Sequence, residues 1–502
     1  MDYQEVVKFK EFPKIKILAY YKMAMSYDEM GDMDGKFIPE NVRYLVDSMS
    51  MYSRNRFRLE TVSAQTAGPG RIVTVNLPEG ACLDLKSFRF HFDATGVGAG
   101  TGTDEVHAIL PNDAAQSLVQ RVEVLCNGIA CQQGANEYNT MSQIKKLVDG
   151  NQDRWSSVDS LCSGAAVNPT LPGAASSNES LVLQDWCGFL GEVSTRFIDT
   201  SVFGQIQVRI TLAPQSVLIP LQQGQQLGAA YTTALALTNA GNISYGIGNM
   251  FFTIDSVSLN PIYNRMLRDR LENDDFLPLN FKEYYSFSLD SINSTANTPR
   301  FSVSSGSIDK LYGTYRDSNY LTTGVLPHQL GGAGGAGVGY AAYVANYLRF
   351  RSLNTFVAGG TQLAGALRYN WSINNVQMPQ YRADLLDAAC DVSYAQDKVG
   401  LDANGTLISS KDTLNDGKFV CSQTLNQPTR WGVGCQSGFN SRGINTMMTW
   451  NVTGQTMTPN TPYIPGAPVT GTGTTGIASA YIVVESTAQL RAGVGKNLSV
   501  LF

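Results

Sequence analysis

Charge is scarce in this chain. Asp, Glu, Lys and Arg make up 16% of 502 residues, against about 25% in an average soluble protein. A formal net charge of −5 leaves no basic surplus for a phosphate backbone, so no sequence-specific nucleic-acid binding is expected. Histidine is scarcer still: His91, His107 and His328 are the full set, and none stands at metal-ligand spacing from a Cys or a carboxylate. No apolar run approaches the roughly 18 residues that cross a bilayer. Lys8, Lys10, Lys14, Lys16 and Lys22 interrupt the apolar residues of the N-terminal stretch. No secretory leader is therefore read there, and the eight cysteines are expected to be free thiols of a reducing compartment.

Catalytic signatures are missing as well. There is no G-x-S-x-G elbow. Gly332 to Gly337 satisfies G-x-G-x-x-G formally, but it follows no strand, opens no helix and has no acid about 20 residues on to hold a ribose. The stretch 28–35 (DEMGDMDG) resembles a calcium loop with Met30 at the first ligand position and Asn41 where the bidentate Glu belongs, which reads as a solvated acidic turn. His91 lies on the non-Phe side of its strand and is expected to be exposed. The expectation is a non-enzymatic protein with no catalytic, cofactor-binding or metal-binding residues.

What the chain has in plenty is period-two alternation. The stretch 117–148 (SLVQRVEVLCNGIACQQGANEYNTMSQIKKLV) organises the rest. Val122, Val124 and Cys126 alternate with Arg121 and Glu123 as in a half-buried strand. Asn127-Gly128 accepts positive φ at both turn positions, and 129–132 returns. This register sets Cys126 opposite Ile129 and Cys131 opposite Val124, which keeps the two sulfurs apart. Asn136 then caps a helix with Tyr138, Met141, Ile144 and Leu147 or Val148 on one face and Lys145 and Lys146 on another.

The same order recurs near residue 370. A strand at 367–373, an Asn374-Asn375 turn, a return at 376–378 stopped by Pro379, and a helix at 383–390 with Leu385, Leu386 and Ala389 inward divide the chain into two similar halves. Further strands are expected at 56–62, 71–77, 85–92, 205–212 and 250–259 in the first half. In the second they are expected at 284–289, 300–303, 308–315, 347–353, 418–425, 444–452, 481–490 and 497–502. Polar, Gly-rich stretches at 94–104, 150–184, 214–248 and 321–339 read as loops, and 260–279, with its charged run RMLRDRLENDD, reads as the linker. Short strands joined by long loops indicate antiparallel sandwiches rather than βαβ units. Residues 1–54, rich in Lys, Met and Tyr, carry Val42, Leu45, Val46 and Met49 at helical spacing and read as a partly helical arm.

Several stretches, in this order, resemble the double jelly-roll major capsid proteins of double-stranded DNA viruses: 117–139, then STRFIDTSVFGQIQVRITLAP at 194–214, YNWSINNVQMPQYRADLLDA at 369–388, SGFNSRGINTMMTWNV at 437–452 and AYIVVESTAQLRAGVGKNLSVLF at 480–502. The likeness is to the virophage and Polinton-like virus type, with giant-virus capsid proteins and adenovirus hexon further away. It implies an all-β fold of two tandem eight-stranded jelly rolls, at 55–265 and 281–502, joined by a linker at 266–280 and preceded by the arm 1–54. It also implies a homotrimer of six-fold outline in the icosahedral capsid of a virion, assembled inside the host cell. Its partners are then neighbouring capsomers, penton and minor or cement proteins, and an internal membrane through the arm. A different class, a two-domain β-sandwich carbohydrate-binding protein or glycosidase, makes Trp371 and Trp450 sugar platforms, although Trp450 alternates with Thr449 and Asn451 as a core residue does.

Overall fold

A computed structural model describes residues 53–100, 106–110, 114–133, 135–149, 178–222, 242–258, 276–292, 296–317, 368–384, 420–426, 438–443, 446–453 and 478–502. It also describes the short pieces 356–357, 361–362 and 387–388 and residues Leu267, Asp269, Leu271 and Asp391. Residues 54–257 and 267–502 form one compact unit, and 1–53 with 258–266 form another. The architecture below is that of the larger unit. The expected helical arm, the 321–339 insertion and the 347–353 strand lie outside the described residues.

The first half supplies β1 (Ser53–Glu60), β2 (Ile72–Asn76), β3 (Cys82–Val97), β4 (Val119–Cys126), β5 (Ile129–Gln132), β6 (Asn178–Leu183), β7 (Ile206–Leu212) and β8 (Ser244–Ser258). They form two sheets, in the orders β1-β8-β3-β6 and β2-β7-β4-β5. The second half supplies β9 (Phe276–Ile292), the broken strand β10 (Ala296–Asn297 and Arg300–Phe301), β11 (Ile308–Asp317), β12 (Arg368–Ile373), β13 (Val376–Ala383), β14 (Cys421–Thr424), β15 (Met448–Thr453) and β16 (Ala478–Gly493). Their orders are β9-β16-β11-β14 and β10-β15-β12-β13, so adding eight to each strand number of the first half reproduces the second. A last strand, β17 (Asn497–Leu501), pairs with the end of β16.

Alternation explains the first core. Ile206, Val208, Ile210 and Leu212 of β7 are buried, as are Phe88, Phe90 and Phe92 of β3, while Arg89 and His91 leave by the other face. Strand β16 breaks the rule, for Ala480 to Val484 are apolar without interruption. Ile482 and Val484 belong to the second sandwich's own core, whereas Tyr481 and Val483 join the core of the first half. A strand covered on both faces has no polar side to show.

The duplicated turn is present in both halves. Asn127 and Gly128 sit at φ 48° and 80°, Asn374 and Asn375 at 49° and 70°, the twice-positive geometry that matches the twist of a two-residue hairpin. Helix α1 (Tyr138–Asp149) follows β5 and buries Tyr138, Met141 and Ile144. Helical residues Asp387, Ala388 and Asp391 follow β13 in the same place.

Several expectations need correction. Pro379 does not stop its strand: β13 continues to Ala383, which pairs with Tyr369 across an irregularity. The strand lies at a sheet edge, where a missing N–H costs no ladder bond. The second helix consequently begins after Ala383, where Asp384 and Asp387 exchange amide-to-carboxylate bonds of 3.0 and 3.1 Å. Leu385, Leu386 and Ala389 lie outside the described residues. The residue next to α1 is Glu137, at φ 59°, and its carbonyl accepts from Met141 N–H; Asn136 stands one place further out. Strand β9 starts at Phe276, opposite Gly493, inside the stretch read as linker. Strand β6 and the pair Val106–Ile109 with Ile219–Gln222 were hidden in or beside stretches read as loop. A bulge between Val124 and Leu125 sets Gln132, not Cys131, opposite Val124, and the Cys131 thiol donates to the Ile129 carbonyl at 3.8 Å. Both remain free.

Candidate functional site

Among the described residues, the densest cluster of paired charges lies where the first half covers the sheet β9-β16-β11-β14. In α1, Tyr138, Met141 and Ile144 hold one stripe against the first core. Lys145 stands one residue on, about 100° round the helix, and leaves that stripe. Its Nζ lies 3.1 Å from Glu485 Oε2 and 3.4 Å from Glu192 Oε1, so it is no solvent-facing residue. Lys282 Nζ sits 3.3 Å from Glu485 Oε1 and 2.6 Å from Asp309 Oδ2. Tyr312 Oη donates to Glu485 Oε2 at 2.9 Å, and Tyr284 Oη donates to Glu192 Oε2 at 2.6 Å. Backbone bonds close the seam: Ser194 N–H donates to Asn280 O at 2.8 Å, and Tyr481 Oη donates to Asn136 O at 2.7 Å.

Electrostatics sets the protonation of this seam. Burial alone pushes the Glu485 carboxyl up, but Lys145, Lys282, Lys310 and the Tyr312 hydroxyl together outweigh it and hold it well below the usual carboxylate range. Burial likewise disfavours charged Lys282, and Glu485 and Asp309 reverse that. Glu283 differs. Burial pushes its carboxyl up to about 7, opposed only in part by bonds from the Tyr285 hydroxyl and the Gln133 amide. A seam of paired charges with no uncompensated ion fixes orientation more than it adds stability. It has the chemistry of a lock.

The same face of the first sandwich, β1-β8-β3-β6 seen away from its core, is built differently. Asp84 and Asp255 stand directly opposite each other, both buried. Arg196 holds Asp84 with Nε and Nη2 each at 2.9 Å. Arg56 Nε holds Asp255 at 2.7 Å, and Arg54 reaches both carboxylates. Next along, His91 stacks on Phe251 at 4.5 Å and bonds Thr253 at 3.1 Å, and the Arg58 guanidinium lies 4.2 Å over the Phe251 ring. His91 is thus half-buried rather than exposed. Burial first, then Arg89, Arg56 and Arg58, hold it below its ordinary pKa. The face is an arginine-rich surface with aromatic footing.

No family model matches the chain, and no curated protein matches it. Solved structures do. The crystal structure of PBCV-1 VP54, fitted into a reconstruction of the virophage Sputnik, aligns with a TM-score of 0.56 at 13% identity, over 90% of this chain and 97% of that one. The Faustovirus major capsid protein aligns with a TM-score of 0.55 at 8% identity, over 89% and 91%. A quasi-atomic model of the PBCV-1 virus capsid gives 0.54 at 14% identity, over 90% and 97%. The fold is a double jelly roll. The expectation of an all-β fold of two tandem eight-stranded jelly rolls is met.

Within the double jelly roll, the residues that another chemistry needs are sealed. Trp371 and Trp450 stack at 5.3 Å with no exposed surface, and Tyr315 stacks on Trp450 at 4.9 Å, so no sugar reaches either indole. Burial pushes the Cys82 thiol up to about 11 and raises that of Cys421 as well, the opposite of an activated nucleophile. The acidic turn 28–35, the Gly332 to Gly337 run, His328 and the His107 side chain lie outside the described residues. The seam residues Glu192, Lys282, Glu283, Asp309 and Glu485 escaped the sequence reading. For Glu485 the signal is a charge set directly after the apolar run AYIVV.

Proposed function

We propose that this protein is a major capsid protein of a double-stranded DNA virus, a structural rather than catalytic component of the virion. The observation that supports it is the exact-order duplication of the jelly roll, with the two copies fastened through one sheet face by the buried Lys145–Glu485–Lys282–Asp309 seam. A chain with two similar sandwiches joined side by side gives three chains a six-fold outline, and cyclic closure uses two different contact faces per subunit. On this reading the chain divides into an arm, expected at 1–54, jelly rolls expected at 55–265 and 281–502, and a linker expected at 266–280, with the first roll opening at Ser53 and the second at Phe276. It assembles as a homotrimer inside the host cell and meets neighbouring capsomers and penton and cement proteins in an icosahedral shell. The arm faces inward to a neighbouring capsomer, an internal membrane or a cement protein.

Negative-stain electron microscopy with light scattering of the purified protein tests the reading. Particles of three chains with a pseudo-hexagonal outline are expected, and compact monomers at all concentrations would overturn it. Deleting residues 1–50 should leave trimers intact and prevent closed shells. Loss of the trimer itself would return the arm to the domain core.

A further inference from the structure

Strand β11 carries an extra residue where it crosses the seam. Ile308 stands opposite Ser486 and Lys310 opposite Glu485, so two steps along β11 match one along β16 and Asp309 has no ladder partner. A bulge of this kind re-aims a side chain. Ile308 points into the second core, while the Asp309 carboxyl turns to the seam face and is 1% exposed. The Asp309 carbonyl accepts from the Leu425 and Asn426 amides at 2.7 and 3.1 Å, which pins the bulge.

Three strands thereby bring an amine, a carboxyl and a second carboxylate together. Lys282 of β9 stands opposite Thr487 of β16, and its Nζ lies 2.6 Å from Asp309 Oδ2 and 3.3 Å from Glu485 Oε1. An amine this close to one carboxyl oxygen stands at roughly the 3–3.5 Å from the carbon that a near-attack arrangement requires. Thr487 Oγ1 accepts from Nζ at 3.1 Å and donates to Asp309 Oδ2. Ser307 Oγ donates to Asp309 Oδ1 at 2.8 Å and accepts from the Gly438 amide at 2.9 Å. A fixed donor therefore already sits on the oxygen where negative charge would grow. Water is largely kept out, with the Lys282 and Glu485 side chains 23% and 2% exposed.

We propose that Lys282 and Asp309 condense into an intramolecular isopeptide bond, a covalent link of β9 to β11 across β16, with Glu485 as the base. Nζ gives one proton to Oδ2, its lone pair attacks Asp309 Cγ, and the oxyanion at Oδ1 rests on Ser307 Oγ. Glu485 Oε1 takes a second proton from the nitrogen and returns it to the Oδ2 hydroxyl, which leaves as water as the amide forms. The third proton stays on the amide nitrogen, Glu485 ends as a carboxylate, and no oxidant or co-reactant is consumed. Two buried charges of opposite sign disappear together, so Lys145 and Lys310 still balance Glu192 and Glu485. The desolvation of an ion pair is exchanged for that of one hydrogen-bonded amide. The surrounding lysines hold Glu485 ionised and make it a weak base, so this is a slow, single closure of the chain on itself and not an enzymatic activity. Being made within one chain, it goes beyond the capsid reading and does not depend on it.

Tryptic mapping of the purified full chain, fresh and after prolonged incubation at physiological temperature, reads the link directly. The expected product is a branched peptide in which 271–300, uncut at Lys282, is joined to 301–310 with the loss of one water. Lys282→Arg, which keeps the charge, should abolish it. Glu485→Gln and Ser307→Ala should each slow its appearance at least tenfold in chains that thermal melting shows to be folded. Complete cleavage after Lys282 in fresh and incubated wild type alike overturns the proposal and leaves an ion pair only. A branched peptide that survives Lys282→Arg, or that forms equally in chains unfolded in urea, overturns it as well.

Discussion

Strands β8 and β16 hold the same place in their sandwiches, yet they meet different surroundings. On β8, Phe251 and Thr253 stand on a half-buried outer face and Asp255 is held by arginines that remain half in water. On β16, Tyr481, Val483 and Glu485 occupy the corresponding face and are buried under the first half of the chain. One strand order therefore supports a one-sided sheet in the first sandwich and a two-sided sheet in the second. The difference shows that topology sets where a residue points, while a neighbour decides whether that direction is water or core. Both faces carry buried carboxylates, but Glu485 on β16 is enclosed by the other sandwich, whereas Asp84 and Asp255 are held by arginines that remain about half exposed.

Substitutions along the strands should break or sharpen this contrast, the largest effects first. On one-sided β7, Val208→Asp buries an unpaired charge and costs several kcal/mol, roughly much of a domain's stability, whereas Arg209→Asp is mild. On two-sided β16, Val483→Asp and Val484→Asp should be equally severe. Denaturant unfolding of the four variants checks this, and a mild Val483→Asp would show that the seam is not a true core.

Glu485→Gln comes next. It leaves Lys145 and Lys282 facing a neutral amide, and breaking such a buried pair costs about 3–5 kcal/mol. Asp255→Asn in the first sandwich should cost only about 1 kcal/mol, because its arginine partners are half solvated. Equal losses in urea melts would erase the distinction between the two faces.

The two seam carboxyls should also respond oppositely to pH. The folded-state pKa of Glu283 is raised from 4.5 to about 7, so the folded chain binds more protons and stability falls as pH rises from about 4.5 to 7, by about 3 kcal/mol. Glu485 is depressed, so its contribution is full above the ordinary carboxylate range and is lost only in acid below it. Melting curves from pH 4 to 8 should show the decline in the wild type and a flattened profile in Glu283→Gln. A wild-type profile rising through this range would contradict the assignment.

The smallest effect concerns the second core. A Cβ at Gly313 would lie 2.9 Å from the Trp450 ring and 3.0 Å from that of Trp371. Gly313→Ala should therefore cost about 1–3 kcal/mol by overpacking. Its thermal unfolding, beside that of Gly246→Ala in the first half, where nothing lies within 4 Å, measures how tightly the paired indoles are packed.

Much of the fold was legible because sandwiches are specified locally. Alternation set β3, β4 and β7, and two Asn-led turns marked the repeat, since only residues that tolerate positive φ fit there. Strand β6 was missed because NESLVL is short and lies among Ser, Gly and Asn, and Pro379 misled because its penalty depends on whether a strand lies at an edge. The bulge between Val124 and Leu125 has no sequence mark, because one extra residue changes register without changing composition.

The sequence by itself determined the strands, the duplication and the inward faces, because side-chain period and turn chemistry act over a few residues. Tertiary structure alone decided that Lys145 meets Glu485 across 340 positions, that Glu283 holds its proton near neutrality, and that one outer sheet face is sealed while its twin is open. Those outcomes depend on which surfaces exclude water. A charge's environment is set by everything packed around it, and no local stretch of sequence contains that.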